Sequence, residues 1–210
     1  MTGISISISI IGSGNMAAAI GARAVQSGST VEVISRDAAK AQALADRLGP
    51  GATIGTFGAA PAGGIVVLAI PYAGAVAVVE QYGEALAGKV IVDISNPFNA
   101  DASGLVTPAA TSAAQEIAAA APTSAHVVKA FNSVFGHVLA EGGALDAFIA
   151  GDDPEAKASV SAFLKNLGLR PLDAGGLPMA QALESVGLLL MGLARNGVGG
   201  FNFAFGINNH

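Results

Sequence analysis

The segment Ile11-Gly12-Ser13-Gly14-Asn15-Met16-Ala17 decides the fold, because it joins an apolar strand to an alanine-rich helix through the pattern G-x-G-x-x-A. In such a turn Gly12 permits the tight bend, Gly14 lets a pyrophosphate approach the backbone, and Ala17 keeps the helix close to the strand. Free N–H groups and the positive end of the helix then favour an anion. The segment predicts a dinucleotide-binding turn, and a purely structural strand–helix turn is the alternative.

Apolar strands and helical segments alternate along the rest of the chain. The predicted strands are Ile4–Ile11, Thr30–Ser35, Ala52–Gly55, Ile65–Ile70, Lys89–Ile94, His126–Phe131, Ala147–Ala150 and Arg170–Asp173. The predicted helices are Met16–Ser27, Ala38–Leu48, Ala73–Glu84, Ser112–Ala121, Pro154–Leu167 and Pro178–Ala194. This alternation predicts an α/β fold with a doubly wound parallel Rossmann sheet. We assign residues 1–175 to a nucleotide-binding Rossmann domain. Residues 176–210 form a short C-terminal helical tail, packed on the domain or on a partner subunit.

The composition narrows the classes of partner and cofactor. Of the 210 residues 52% are hydrophobic and only 12% are charged, and the net charge of −5 disfavours nucleic acid as a partner. The chain has no cysteine, and His126, His137 and His210 are too far apart in sequence to indicate a metal site. The longest uncharged run, 63–79, contains Pro71 and is shorter than the roughly 20 residues of a membrane span. Since no basic residue precedes the apolar N-terminal stretch, we expect a cytoplasmic protein that binds no membrane.

The end of the second strand indicates which dinucleotide binds. NAD sites usually carry an acidic residue there for the ribose 2′-hydroxyl, whereas NADP sites carry groups, commonly arginine, that accommodate the 2′-phosphate. Ser35 and Arg36 stand at this position, and the arginine can hold a phosphate with a fork of N–H donors. Lys40 adds a second cation, while Asp37 is expected to cap the next helix. This cluster predicts NADP(H); the alternative for Lys40 is an exposed side chain paired with Asp37. Glu32 lies mid-strand and is a poor candidate for the ribose acid.

Further segments point to one family. LAIPY (Leu68–Tyr72), VDISNPFN (Val92–Asn99) and VVKAFNSVFG (Val127–Gly136), together with IGSGNM and ISRDAAK, resemble the F-420-dependent NADP reductase family, which includes the cytoplasmic domain of STEAP-type metalloreductases. The resemblance covers nearly the whole chain. It implies pyrophosphate and nicotinamide contacts at Gly12, Ser13, Gly14, Asn15 and Met16, phosphate contacts at Ser35, Arg36 and Lys40, a ribose wall at Ile70 and Pro71, and a nicotinamide pocket bordered by Asn96, Pro97, Ala130 and Asn132.

The resemblance also implies an activity. The expected protein is an NADP(H)-dependent oxidoreductase that transfers hydride between the nicotinamide and a deazaflavin (coenzyme F-420) or flavin-like acceptor. No catalytic acid–base residue is assigned, because the cofactors carry the chemistry. Met191 and the phenylalanines of the C-terminus (Phe201, Phe203, Phe205) are candidate walls of the acceptor site, with core or dimer contact as the alternative. His137 and Lys129 could contact a cofactor or play purely structural roles.

Two other functions fit the same sequence features. An NADPH-dependent imine or pyrroline reductase shares the glycine segment, but such chains carry a long helical dimerisation domain, and the tail 176–210 is short for it. A non-catalytic NADP-binding redox sensor is the second alternative. The apolar composition also predicts that a wide surface is buried between two subunits of a homodimer.

Overall fold

Short runs rich in isoleucine and valine form an eight-stranded sheet in the computed structural model, which describes residues 6–208. The strand order is β3-β2-β1-β4-β5-β6-β7-β8. The predicted first residues of the first strand, Ile4 and Ser5, lie outside the described part. The strands are β1 Ser7–Ile11, β2 Thr30–Ile34, β3 Ala52–Ile54, β4 Ile65–Leu68, β5 Val90–Asp93, β6 His126–Lys129, β7 Asp146–Gly151 and β8 Arg170–Asp173.

Helices cover both faces of the sheet, which confirms the predicted α/β architecture. In β4, Ile65 and Val67 face one core and Val66 and Leu68 face the other, which explains why this strand is continuously apolar. The helices are α1 Asn15–Gln26, α2 Ala38–Leu48, α3 Tyr72–Tyr82, α4 Ala113–Ala120, α5 Gly136–Glu141, α6 Pro154–Asn166 and α7 Ala180–Arg195.

The far edge of the sheet departs from the fully parallel arrangement that the sequence predicts. Strands β1 to β6 are parallel, but β7 pairs antiparallel with β6 through Lys129 and Ala150, and β8 is parallel to β7. The connection from β6 to β7 contains the six-residue helix α5, which the sequence analysis did not predict. A helix of six residues spans only about 9 Å, so it does not carry the chain back to the amino ends of the strands, as a parallel crossover requires.

The serines of the first strand have two different environments. Ser9 is fully buried, donates to Glu32 Oε2 at 2.6 Å and accepts from the N–H of Gly63 at 2.9 Å, whereas Ser7 is exposed. The same Glu32 oxygen also accepts from the N–H of Ala62 at 2.8 Å. Glu32 therefore holds the segment before β4 in place, in agreement with its rejection as a ribose ligand.

The C-terminal part of the chain packs on the sheet. Leu183 of α7 joins a small core with Phe148 and Ala150 of β7, and Phe205 packs against Phe148 with tilted rings whose centroids are 5.2 Å apart. In the described chain one segment, Leu177–Arg195, is long and apolar enough to cross a membrane, a test that core helices of soluble proteins also meet. The predicted domain boundary at residue 175 stays a prediction.

Candidate functional site

The glycine turn after β1 has the geometry of a ligand-facing turn. Gly12 has φ +131°, and a Cβ there would lie 2.1 Å from the carbonyl oxygen of Ala69, so only glycine lets the ends of β1 and β4 approach so closely. Gly14 is exposed, with open space where a Cβ would be. Helix α1 begins at Asn15 without a side-chain cap or an acidic residue in its first turn. Its first N–H groups are thus available to an anion.

The polar residues at the end of β2 share a cavity with this turn. Ser13, Ser35, Arg36 and Lys40 line a cavity of about 520 Å³ together with Gly12 and Gly14. The Oγ atoms of Ser13 and Ser35 lie 3.5 Å apart. Two serine hydroxyls and two cations therefore lie around one cavity at the carboxyl edge of the sheet, beside the uncapped helix.

Asp37 caps helix α2, as the sequence predicts. Its Oδ1 accepts from the N–H groups of Ala39 at 3.1 Å and Lys40 at 3.2 Å. The Lys40 ammonium also lies 3.7 Å from Asp37 Oδ2, with both side chains exposed. Lys40 thus forms the exposed ion pair with Asp37 that is the alternative to phosphate binding, and it also lines the cavity.

Phe57 belongs to this cavity and was missed in the sequence analysis. The Arg36 guanidinium lies over its ring, 5.4 Å from the centroid, and the ring itself packs edge-on against Tyr82 at 5.5 Å. This cation–π contact holds Arg36 at the rim of the cavity. The only sequence signal was a phenylalanine placed in the glycine-flanked turn Gly55–Gly58 directly after β3.

The cleft continues past the glycine turn into a second cavity of about 540 Å³. Ile70 and Pro71 line both cavities, and Tyr72 lines the second. The Tyr72 hydroxyl donates to Glu116 Oε2 at 2.7 Å. Burial and this carboxylate raise the pKa of Tyr72 to about 12, so its phenol is neutral at physiological pH.

The innermost cavity, of about 230 Å³, lies between the sheet edge and helix α7. Met16, Asn96 and Asn132 line it from below, and Gly187, Leu190 and Met191 of α7 form its roof; Phe98, Phe131 and Phe135 are among its other walls. Phe131, just after β6, has the left-handed φ of +60°, a strained conformation that is common at functional sites. Met16 and Asn96 also line the second cavity, so the three cavities form one continuous cleft.

Two buried polar atoms near the junction of the second and inner cavities have no hydrogen-bond partner among the described residues. They are Ser95 Oγ and Asn132 Oδ1, on side chains that are 6% exposed. Asn132 Nδ2 is in contrast fully used, donating to Asn96 Oδ1 at 3.0 Å and to the carbonyl of Leu183 at 2.7 Å. Unpaired buried polar atoms are costly, and both side chains stand beside the cleft, Asn132 at the inner cavity and Ser95 at the second.

The two other predicted site residues lie behind the cleft. Ala130 is fully buried in the core, and Pro97 is buried with its carbonyl accepting from the N–H of Val106 at 2.8 Å. Neither side chain lines the three cavities. The structure therefore does not bring these two residues to the cleft, and their predicted contacts with the nicotinamide stay a prediction.

Residues near the C-terminus take different positions. Met191 lines the inner cavity, whereas Phe201 and Phe203 pack edge-on against Phe135, one wall of that cavity, at 5.8 and 5.5 Å. His137 stacks on Phe135 and its Nε2 lies 2.9 Å from the carbonyl oxygen of Phe201. The histidine therefore ties the C-terminal segment to α5, which favours its structural role.

A buried ionic network supports the inner end of the cleft. The Lys129 ammonium contacts Asp93 Oδ2 at 2.7 Å, the carbonyl of Ser95 at 2.6 Å and Glu184 Oε1 at 2.8 Å, and all three charged side chains are fully buried. The N–H of Ala113, at the start of α4, also donates to Glu184 at 3.0 Å. Burial raises the pKa of the Glu184 carboxyl, and the Lys129 ammonium partly offsets this effect. Lys129 thus joins β5, β6 and α7 instead of facing the cleft.

The whole cleft runs along the carboxyl edge of the sheet, across the point where the strand order reverses between β1 and β4. Ligands of doubly wound folds bind at such a crevice. The arrangement can hold an extended ligand with an anionic group at one end and a planar polar ring at the other.

Comparisons with known proteins agree with this geometry. The sequence profile of the family described as "NADP oxidoreductase coenzyme F420-dependent" matches residues 7–97. Metalloreductase STEAP3 from Rattus norvegicus is 31% identical over 187 residues, which cover 88% of this chain and 37% of the relative. The F420-dependent NADP reductase of Methanocaldococcus jannaschii is 33% identical over 144 residues, which cover 64% of each chain.

Solved structures extend the similarity to the full chain. A crystal structure described as an F420-dependent NADP reductase from Arthrobacter sp. FB24 is 26% identical, covers 98% of this chain and 100% of its own, and superimposes with a TM-score of 0.86. An imine reductase from Streptomyces aurantiacus, at 22% identity and a TM-score of 0.65, covers 90% of this chain and 63% of its own and shares the fold. The chain spans just over a third and just under two thirds of the two curated relatives. The profile match over residues 7–97, the two relatives and the superposition together show that the chain is similar to members of the F420-dependent NADP oxidoreductase family.

Proposed function

We propose that the protein binds NADP(H) along the cleft and exchanges hydride between the nicotinamide and a deazaflavin (F-420) or flavin-like acceptor. The observation that carries this proposal is the convergence of Ser35, Arg36 and Lys40 on one cavity with the uncapped start of α1. An acidic residue at this point would favour NAD instead, and the one nearby carboxylate, Asp37, is engaged in capping α2.

The residues of the cleft fit NADP(H) at both ends. Ser35, Arg36 and Lys40 would hold the 2′-phosphate, and the turn Gly12–Met16 would wrap the pyrophosphate. At the inner end, Asn132 Oδ1 can accept from a carboxamide N–H and Ser95 Oγ can donate to its carbonyl. The amide of a nicotinamide carries both the N–H donor and the carbonyl acceptor that these two atoms lack.

The protein contributes alignment and the exclusion of water. Bound NADPH supplies the hydride, and transfer requires the donor and acceptor carbons to lie about 3–3.5 Å apart. Ile70 and Pro71 would set the ribose, while Asn96 and Met16 lie where the middle and inner cavities meet. The apolar roof residues Leu190 and Met191 would cover the acceptor ring.

Two measurements test the proposal. Titrations of NADPH and NADH should show a preference for NADPH of at least about ten-fold, the effect of roughly one charge-assisted contact. Mixing the protein with NADPH and oxidised F-420 should bleach the deazaflavin absorbance. Equal affinity for the two dinucleotides would contradict the phosphate site. Turnover with a cyclic imine but with neither F-420 nor a flavin would identify an imine reductase, and tight NADPH binding without any turnover would identify a redox sensor.

We further propose that the protein is a cytoplasmic homodimer paired through the outer face of α7. Leu189 and Leu193 on this face are 54% and 37% exposed, and Val198 just beyond the helix is 46% exposed. Burial of these side chains against a second copy would remove apolar surface from water. Sedimentation should give a dimer for the native chain and a monomer for Leu189→Glu; a native monomer at micromolar concentration would contradict pairing.

A further inference from the structure

One turn of helix α7, Leu183–Gly187, is fixed against the segments that border the inner cavity. The carbonyl of Leu183 accepts from Asn132 Nδ2 at 2.7 Å, and Asn132 is in turn paired with Asn96 through two hydrogen bonds of 3.0 and 2.9 Å. These hydrogen bonds therefore couple the position of the helix to the positions of both asparagine side chains. Any change in the height of this turn above the sheet edge changes the cavity beneath the next turn, which carries Leu190 and Met191.

Gly187 sets how closely this turn approaches the sheet edge. A Cβ at this position would lie 3.0 Å from Asn96 Cγ and 2.6 Å from Asn96 Oδ1, and the second distance is shorter than real Cβ contacts allow. Glycine is otherwise disfavoured inside a helix. Its absent side chain lets α7 press onto Asn96, and any other residue would displace either the asparagine or the helix.

Glu184 holds the helix in this close position. Its Oε1 atom accepts from the Lys129 ammonium at 2.8 Å and from the N–H of Ala113 at 3.0 Å, which links α7 to β6 and to the start of α4. The side chain is fully buried, so its contacts are not exchanged with water. The ionic network acts on the same helical turn as Gly187.

We propose that Gly187 is a specificity-determining position of the inner cavity and that Glu184 is the positioning residue that keeps α7 seated there. This inference rests on the proposed function in one respect, that the inner cavity receives the ring of the hydride acceptor. The position of α7 above the sheet edge then sets the distance between the roof residues and Asn96. This distance determines which planar acceptor can stack beside the nicotinamide.

The test compares Gly187→Ala with Gly192→Ala. Both substitutions add a methyl group within α7 and raise its helix propensity equally, but a Cβ at Gly192 meets no described atom within 4 Å. With saturating NADPH and oxidised F-420, Gly187→Ala should lower kcat/KM about 10- to 100-fold, because a misplacement of about 1 Å has effects of this size. Gly192→Ala should stay within about two-fold of the native value.

Binding of adenosine 2′,5′-bisphosphate provides the internal control. This ligand lacks the nicotinamide and reaches only the outer end of the cleft, so both variants should bind it with native affinity. Glu184→Ala should reproduce the loss in kcat/KM, and Glu184→Gln should restore it, because the amide oxygen can accept both hydrogen bonds of Oε1. Failure of Glu184→Gln to restore activity would overturn the positioning role.

The outcomes separate this inference from the proposed function. Equal kcat/KM for the two alanine variants would overturn the role of Gly187 even if the native protein reduces F-420. If the native protein does not turn over, the side-chain amide resonances of Asn96 and Asn132 give the answer without activity. A shift of these resonances in Gly187→Ala but not in Gly192→Ala supports the inference, and unchanged resonances in both overturn it.

Discussion

The two ends of the cleft are built in opposite ways. At the outer end, Ser35, Arg36 and Lys40 come from one short stretch after β2, and their charged groups lie at the surface. At the inner end, Lys129 and Glu184 are fully buried and meet across 55 positions of the chain. The outer end is a local binding surface, whereas the inner end is part of the fold.

This difference predicts where substitutions act. Exposed charges interact through water and contribute little to folding, so changes at the outer end should alter binding and leave the fold intact. Buried charges lie in a low-dielectric interior, where loss of one partner leaves another charge uncompensated. Changes at the inner end should therefore alter the free energy of unfolding first.

The largest effect is expected for Lys129→Met. This change leaves the carboxylates of Asp93 and Glu184 buried without their shared cation, and should lower the free energy of unfolding by about 3–5 kcal/mol. Denaturant titration of the native and variant chains measures the difference.

Glu184→Gln is the matched control for this prediction. It leaves one buried cation with one buried carboxylate, Asp93, and should change the free energy of unfolding by less than about 1 kcal/mol. If both substitutions lowered the free energy of unfolding by a similar amount, the loss of the contact between Lys129 and Glu184 of α7, and not an unpaired buried charge, would be the main cause of the destabilisation.

The same contrast explains what could be predicted from the sequence. The turn at Gly12, the cap at Asp37 and the cluster at Arg36 are local patterns; in the structure Asp37 caps α2, and Gly12 and Arg36 line the same cavity. Glu184 was not identified, because its partner lies on a strand distant in the chain. A charged residue at the end of an apolar strand, as in Val127–Lys129, signals that a partner exists but does not say which one.

Two other features depend on tertiary contacts and could not be predicted from the sequence. Helix α5 has only six residues, too few for a clear apolar period, so the reversal of β7 that follows it was missed. Gly187 looks like an ordinary helix interruption until its 2.6 Å approach to Asn96 is known. Such close contacts between distant segments have no local signature in one sequence.

The second largest effect is expected at the outer end, for Arg36→Ala. Loss of a charge-assisted contact to the 2′-phosphate should weaken NADPH binding by about 1.5–3 kcal/mol, roughly ten- to hundred-fold, and leave NADH binding unchanged. Arg47→Ala, an exposed arginine of α2 outside the cleft cavities, serves as the control. Equal losses for NADPH and NADH would place Arg36 away from the phosphate.

A smaller effect is expected for Asp37, whose two substitutions separate capping from charge. Asp37→Ala removes the cap of α2 and should lower the free energy of unfolding by about 1 kcal/mol. Asp37→Asn keeps a capping oxygen but removes the negative charge beside Lys40, so stability should be retained while NADPH binds more tightly. Weaker NADPH binding by Asp37→Asn would mean that the carboxylate itself helps to hold the cofactor.

The smallest effect at neutral pH is expected for Tyr72, which lies between the two ends of the cleft. Its folded-state pKa of about 12 is above the ordinary value of 10.0, so its contribution to stability is complete below pH 10 and is lost as the pH rises through 12. The chain has two tyrosines and no tryptophan, so tyrosinate absorbance reports on these residues alone. In Tyr82→Phe, which keeps the ring that packs on Phe57, the folded protein should show one transition near pH 12. A midpoint near 10 would show that the hydroxyl faces water, and that the cleft is open to solvent at its centre as it is at its outer end.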